Sequence, residues 1–186
     1  DNEFVGTIPT QVGMLQHLED LYLHQNFLTG KIPEQIGQLV KLDGLGLYGN
    51  QLTGTIPESI GNLVNIYVLY LDDNKLSGPI PKSIGNLDHV SDIRLRQNRL
   101  SGAIPEEIRG MQNLELLYFD SNELSGEIPS AIASLNQLKQ VHLYKNKISG
   151  TIPSEMGNLE DLELLYLDNN ELSGEIPPTL GGLKKL

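Results

Sequence analysis

Seven tyrosines (Tyr22, Tyr48, Tyr67, Tyr70, Tyr118, Tyr144 and Tyr166) are the side chains of this chain best suited to chemistry, and that chemistry is recognition. A phenol joins rigid apolar area to a polar tip, which is why Tyr is enriched at binding hot spots. Each lies in a short segment where Leu alternates with polar residues, as Leu21 and Leu23 alternate with Tyr22 and His24. That period of two marks a strand with one buried face and one wet face, and it puts the tyrosines on the wet one. With them stand Asp72 and Asp73, Ser91, Asp92, Arg94 and Arg96, Glu115 and Asp120, Lys139, His142 and Lys145, and Asp168. Tyr67, Tyr70, Asp72, Asp73, Arg94, Arg96, Tyr118, Asp120, His142, Tyr144, Tyr166 and Asp168 are the candidate ligand-binding residues. An internal ladder is also expected, with Asp72 and Asp120 flanking Arg96 and with Tyr70 and Tyr118 stacking on Arg94. Tyr has high strand propensity and needs no ligand to explain it. Asp, Arg and His are poor strand formers with no packing role there, and they favour recognition.

Catalysis has no matching constellation. There is no Cys, the four His (His17, His24, His89 and His142) are scattered, and no metal-ligand spacing, phosphate loop or nucleophile elbow occurs. His142 beside Asp92 or Asp120 would be an acid–base pair on an open sheet, which neither excludes water nor shifts a pKa strongly. No cofactor is expected and no enzyme activity within this stretch, although a kinase domain elsewhere in a longer chain would leave the stretch unchanged. The net charge is −11, from 24 acidic and 13 basic side chains, which argues against a nucleic-acid partner. Ten acids (Glu19, Asp20, Asp43, Asp72, Asp73, Asp92, Glu115, Asp120, Glu163 and Asp168) share the wet strand positions with four bases, so the expected partner is a protein or peptide with basic groups.

The elements that carry these residues follow from one period. Asn2, Asn26, Asn50, Asn74, Asn98, Asn122, Asn146 and Asn170 recur every 24 residues, and from Asn26 onward each closes a Leu-x-x-Leu-x-Leu-x-x-Asn segment or a conservative variant of it. Identical short strands from successive coils pair in parallel at about 4.8 Å. After each Asn comes Leu-(Ser/Thr)-Gly-x-Ile-Pro, as from Leu28 to Pro33. Its Gly permits a second, shorter strand, and its Pro opens a one-turn helix, expected to be 3₁₀, that turns Ile36 or Ile60 inward. The Asn column is assigned to structure: a carboxamide at every turn bonds the backbone of its own coil and the next. The Thr29, Thr53, Ser77, Ser101, Ser125, Ser149 and Ser173 column is given the same role.

These motifs cover the whole chain and identify it as resembling the leucine-rich repeat, in the plant-type subclass of receptor-kinase ectodomains, receptor-like proteins and polygalacturonase inhibitors. The resemblance implies an α/β solenoid, a right-handed superhelix with a parallel sheet on its concave face and 3₁₀ turns on its convex face. Residues 1–186 then form a single domain of about seven to eight coils, uncapped at both ends and expected to be a fragment, with Phe4, Leu183 and Leu186 near uncovered hydrophobic ends. It further implies a non-enzymatic ectodomain, extracellular or at the cell surface, that binds a protein or peptide on its concave face, with a co-receptor as a further partner. A secreted inhibitor of a cell-wall-degrading enzyme and a ligand-free scaffold are the alternatives. No signal peptide, membrane-spanning stretch, Cys or Asn-x-Ser/Thr sequon occurs to place it. Arg94-x-Arg96 is similar to the Arg-x-Arg pair with which some peptide-hormone receptors hold a ligand's C-terminal carboxylate, but sits one step later on its strand. Residues 114–129 and 162–177 differ only at Phe119/Leu167 and Ser121/Asn169, so the 48-residue rhythm of Tyr22, Tyr70, Tyr118 and Tyr166 reflects duplication of a two-coil unit.

Overall fold

The computed structural model describes residues 2–186. Each coil repeats the same path: a three-residue strand, a turn at the Asn, a second short strand, and a five-residue 3₁₀ helix. The first strands, Asp20–Tyr22, Gly44–Gly46, Val68–Tyr70, Asp92–Arg94, Leu116–Tyr118, Gln140–His142 and Leu164–Tyr166, form one seven-stranded parallel sheet in sequence order. The second strands, from Thr53–Gly54 to Glu171–Leu172, form a six-stranded parallel sheet, and Val5–Thr7 pairs with Phe27–Thr29. No strand of the main sheet is out of order, so every contact links neighbours and the molecule is a solenoid.

Local chemistry accounts for each corner. Pro33, at φ −72°, leads into the helix Glu34–Gln38, and the same step recurs at Pro57 and Pro81; proline's fixed φ and missing N–H suit the start of a short helix. Gly30, Gly54 and their counterparts hold φ near +76°, which a side chain resists. The residue before each Asn from Asn26 to Asn170 is also left-handed, at Gln25, Gly49, Asp73, Gln97, Ser121, Lys145 and Asn169. Asp73 and Lys145 therefore sit in the turn beyond the strand, exposed, and not on it as the sequence pattern suggests.

The core is one cluster running from Ile8 to Leu183, in which Ile36, Ile60, Leu69, Ile93, Leu117 and Val141 are fully buried. Phe119, the largest of these side chains, takes a Leu position in the middle of the stack. Phe4 and Leu186 are exposed, but Leu183 is buried, because the helix Pro178–Gly182 turns it back onto the preceding coil. The Asn column binds backward. Asn98 donates to Leu95 and Arg96 carbonyls of its own coil and to Leu71 of the preceding coil, and accepts from the Leu76 amide of that same preceding coil. Asn26, Asn50, Asn74, Asn122, Asn146 and Asn170 repeat the backward reach. Asn2 is exposed, and its coil contributes a backbone bond from its own amide to Gln25. Of the hydroxyl column, Thr29, Thr53, Ser77, Ser149 and Ser173 donate to the glycine carbonyl one coil earlier.

Candidate functional site

Strand register places Tyr22, Gly46, Tyr70, Arg94, Tyr118, His142 and Tyr166 in one row across the outward face of the seven-stranded sheet. The row alternates tyrosine with Gly46, Arg94 and His142. The Arg94 guanidinium carbon lies 4.4 Å from the Tyr70 ring centre and 5.3 Å from that of Tyr118. The His142 ring lies 4.4 Å from Tyr118 and 4.7 Å from Tyr166, both edge-on. Tyr70 through Tyr166 is thus an unbroken stack of cation–π and edge-to-face contacts, each of modest strength but jointly rigid. At the other end Tyr22 lies flat over Gly44 and Gly46, where any β-carbon would strike its ring.

A buried carboxylate anchors the row. Asp92 accepts the Tyr70 hydroxyl at 2.8 Å and both Nε and Nη2 of Arg94, the latter at 2.6 Å. Tyr118 is held in the same direction, its hydroxyl donating to Gln140 Oε1 at 2.6 Å. Burial, followed by the Asp92 hydrogen bond, holds the Tyr70 phenol well above its ordinary pKa; burial also raises Tyr118 and lowers His142. Arg94 is kept charged chiefly by its hydrogen bonds to Asp92. Asp92 and Gln140 were not among the candidate residues. A sequence lists Asp92 as one more exposed acid, because nothing in it shows that Tyr70 and Arg94 fold over that carboxylate.

The second row along the face is His24, Tyr48, Asp72, Arg96, Asp120, Tyr144 and Asp168. His24 stacks on Tyr48 with ring centres 4.5 Å apart and planes 8° from parallel. Arg96 pairs with Asp72 at 3.6 Å, as expected, but forms no such pair with Asp120. Asp72 and Asp120 are buried, not presented to solvent, because Arg96 and the neighbouring aromatic side chains close over them. Each keeps one buried oxygen, Oδ1, without a protein hydrogen-bond partner. Burial dominates at Asp72 and raises its pKa despite the Arg96 charge; burial and then the Asp120 carboxylate raise the Tyr144 phenol. Arg96, His142, Tyr144, Lys145, Tyr166 and Asp168 line a shallow cavity of about 370 Å³.

A third row contributes apolar area that the sequence hides. Val68, Leu116 and Leu164 lie half-buried on the outward face, two residues before Tyr70, Tyr118 and Tyr166. The runs Leu116–Leu117 and Leu164–Leu165 mask the alternation; counting back by two from each Tyr would have found them. Tyr67 stands apart at the strand entrance, exposed, beside His89 and Asn65. The structure thus joins Tyr70, Arg94, Tyr118, His142, Tyr144 and Tyr166, places Arg96 with Asp72 beside them, and leaves Tyr67 and Asp73 at opposite margins. Among the described residues no cluster of His, Asp and Glu could hold a metal ion, and no helix is long and apolar enough to cross a membrane.

Comparison with known proteins agrees with this geometry. The model of the leucine-rich repeat region matches residues 68–186, and that of the single leucine-rich repeat matches residues 17–39 and 41–63. The chain belongs to the leucine-rich repeat family. Its repeats are of the plant type, and the solved leucine-rich repeat structures it resembles include plant receptor ectodomains. The plant peptide hormone receptor RGFR1, solved in complex with RGF2, is 37% identical over 100% of this chain and 33% of its own, with a TM-score of 0.84. A TDR receptor is 35% identical over 100% of this chain and 32% of its own, with a TM-score of 0.95. The Arabidopsis receptor kinase HAESA, in complex with the peptide hormone IDA and the co-receptor SERK1, is 28% identical over 100% and 39%, with a TM-score of 0.80. The chain spans about a third of the length of these receptors. No curated protein matches it.

Proposed function

We propose that this leucine-rich repeat segment binds a peptide, or an extended segment of a protein, on the concave face of its seven-stranded sheet, as part of an extracellular receptor-like ectodomain. One observation carries the reading: the stacked row from Tyr70 to Tyr166 is anchored from the adjoining row of the same face by Asp92 and Gln140, which bind the tips of Tyr70 and Tyr118. A face ordered before its ligand arrives loses less entropy on binding, and aromatic anchors supply most of the energy. Acidic groups around the row favour a ligand with basic side chains. The receptors solved with RGF2 and with IDA bind peptides, which supports the same class of ligand here, and the SERK1 complex supports a co-receptor as a second partner.

Arg94 is committed to Asp92 by short hydrogen bonds, whereas Arg96 is held to Asp72 only at 3.6 Å, so Arg96 is the guanidinium freer to turn to a ligand. The test is a random-peptide display selection on the wild type, counter-selected on a variant with Tyr70, Tyr118 and Arg96 all changed to Ala. Peptides that bind the wild type with micromolar affinity and the variant at least about tenfold more weakly support the site. Selected peptides indifferent to the variant would place the site elsewhere.

A further inference from the structure

The three rows repeat together. Val68, Tyr70 and Asp72 recur as Leu116, Tyr118 and Asp120, and again as Leu164, Tyr166 and Asp168, one apolar–tyrosine–acid set on every second coil. Parallel strands about 4.8 Å apart place successive sets about 9.6 Å apart along the sheet, and curvature toward the ligand side brings the side-chain tips slightly closer. Few peptide conformations present the same face at that interval. A β-strand repeats a face after about 6.7 Å, which matches neither one coil nor two. An α-helix repeats after seven residues, about 10.5 Å, and drifts out of step by about 2 Å over the three sets. A polyproline II helix has three residues per turn and rises about 9.3 Å per turn, so every third side chain meets the next set with a cumulative error under about 1 Å.

Resting on the concave-face reading above, we propose that the ligand is a proline-rich basic segment in the polyproline II conformation, running across the strands with every third residue over a tyrosine. Proline is the residue that both holds this conformation at low entropic cost and packs on aromatic rings, and tyrosine-lined grooves are the usual receivers of such helices. The exposed Tyr166 and the part of the half-buried Tyr118 that its neighbours leave accessible, with half-buried Leu116 and Leu164 beside them, provide those surfaces. The two remaining residues of each turn flank the row, where Asp168 is exposed and the net charge of −11 attracts Lys or Arg. Arg94 and His142 between the rings then act as spacers that keep the tyrosines upright, and duplication of a two-coil unit supplies the period.

The experiment is fluorescence anisotropy with three labelled synthetic peptides: four repeats of Pro-Lys-Ser, an isomer of identical composition with its prolines clustered at one end, and a proline-free Leu/Lys helix with heptad spacing. The repeat peptide is expected to bind at least about tenfold more tightly than either of the others. Its affinity should fall at least about tenfold in Tyr118→Ala and in Tyr166→Ala, each checked for folding by circular dichroism, and should be largely kept in Tyr118→Phe. Equal binding of repeat and isomer that still depends on Tyr118 or Tyr166 would sink the polyproline register while leaving the concave-face reading intact. Tighter binding of the helical peptide would sink it in the same way. Binding insensitive to both tyrosines would count against both readings. No binding by any of the three overturns this inference alone, since the display selection judges the face independently.

Discussion

Asn98 makes four hydrogen bonds with one side chain; losing them orphans the Leu76 amide and leaves the Leu71, Leu95 and Arg96 carbonyls with one donor each, from Asn74, Asn122 and the Asp73 amide. Asn98→Ala should therefore lower stability by about 1–3 kcal/mol, measured by urea unfolding; a midpoint equal to the parent's would refute the structural assignment of the whole column. Asp72 presents the opposite economy, since burial raises its pKa above the ordinary 3.8. The folded state thus holds the Asp72 proton more tightly than the unfolded chain does. Its favourable contribution is complete below the unfolded value and is lost as pH rises through the folded one. Asp72→Asn, which keeps the shape and removes the charge, should melt higher than the parent at neutral pH, and the difference should close on acidification below about 4. An unchanged difference across that range would mean that the carboxylate is not strained. The tyrosines carry the same sign to the alkaline side. Because Tyr70 and Tyr118 are raised, their phenolate absorbance should appear together with unfolding as pH rises; ionisation of both in the still-folded protein would contradict their burial.

At the scale of the element, the short helices set how closely coils can stack. A β-carbon on Gly61 would lie 2.6 Å from the Ser83 β-carbon and nearer still to the Ser83 carbonyl, whereas one on Gly181 would meet nothing within 4 Å. Gly61→Ala should cost about 1–3 kcal/mol by overpacking and Gly181→Ala close to nothing, compared by thermal melting. Arg109 and Ala133 occupy the same column, so equal losses at both glycines would show that backbone freedom and not spacing is responsible. These elements were legible in the sequence because the repeat states each of them seven times over. Leu-x-x-Leu-x-Leu gave the strands, proline the helix starts, and Leu-(Ser/Thr)-Gly the second strands. The wet face was legible only in outline. Alternation tells which side of a strand a residue leaves by, but not whether its neighbours lie down on it. Hence the alternation shows Asp72, Asp92 and Asp120 alike as exposed acids, and nothing in it singles out Asp92 as the anchor of Tyr70 and Arg94. The backward direction of the Asn bonds and the left-handed turn at Asp73 are set by coil geometry, which no single repeat encodes.

Over the whole molecule the charge is spread along a rod-like stack, and its effect on binding is felt before contact. The net charge of −11 includes exposed Glu19, Asp20, Asp43, Glu163 and Asp168 bordering the tyrosine rows. Such a field raises the encounter rate of a cationic ligand and lowers that of an anionic one, over a range limited by the Debye length of about 8 Å at physiological salt. Contacts within the rows are different in kind, since Arg94 and Asp92 are already paired at 2.6 Å and need no ion from the ligand. Long-range attraction should therefore govern arrival, and aromatic packing should govern departure. For a basic peptide captured by the display selection, raising salt from about 50 mM to about 500 mM should slow association by roughly tenfold while the dissociation rate changes less than about threefold. Stopped-flow or biosensor kinetics separate the two. Tyr118→Ala should do the reverse, speeding dissociation and leaving association nearly untouched. If salt instead acted mainly on dissociation, the ligand's charges would be in direct contact with the face, and its acids, not its tyrosines, would be the anchors.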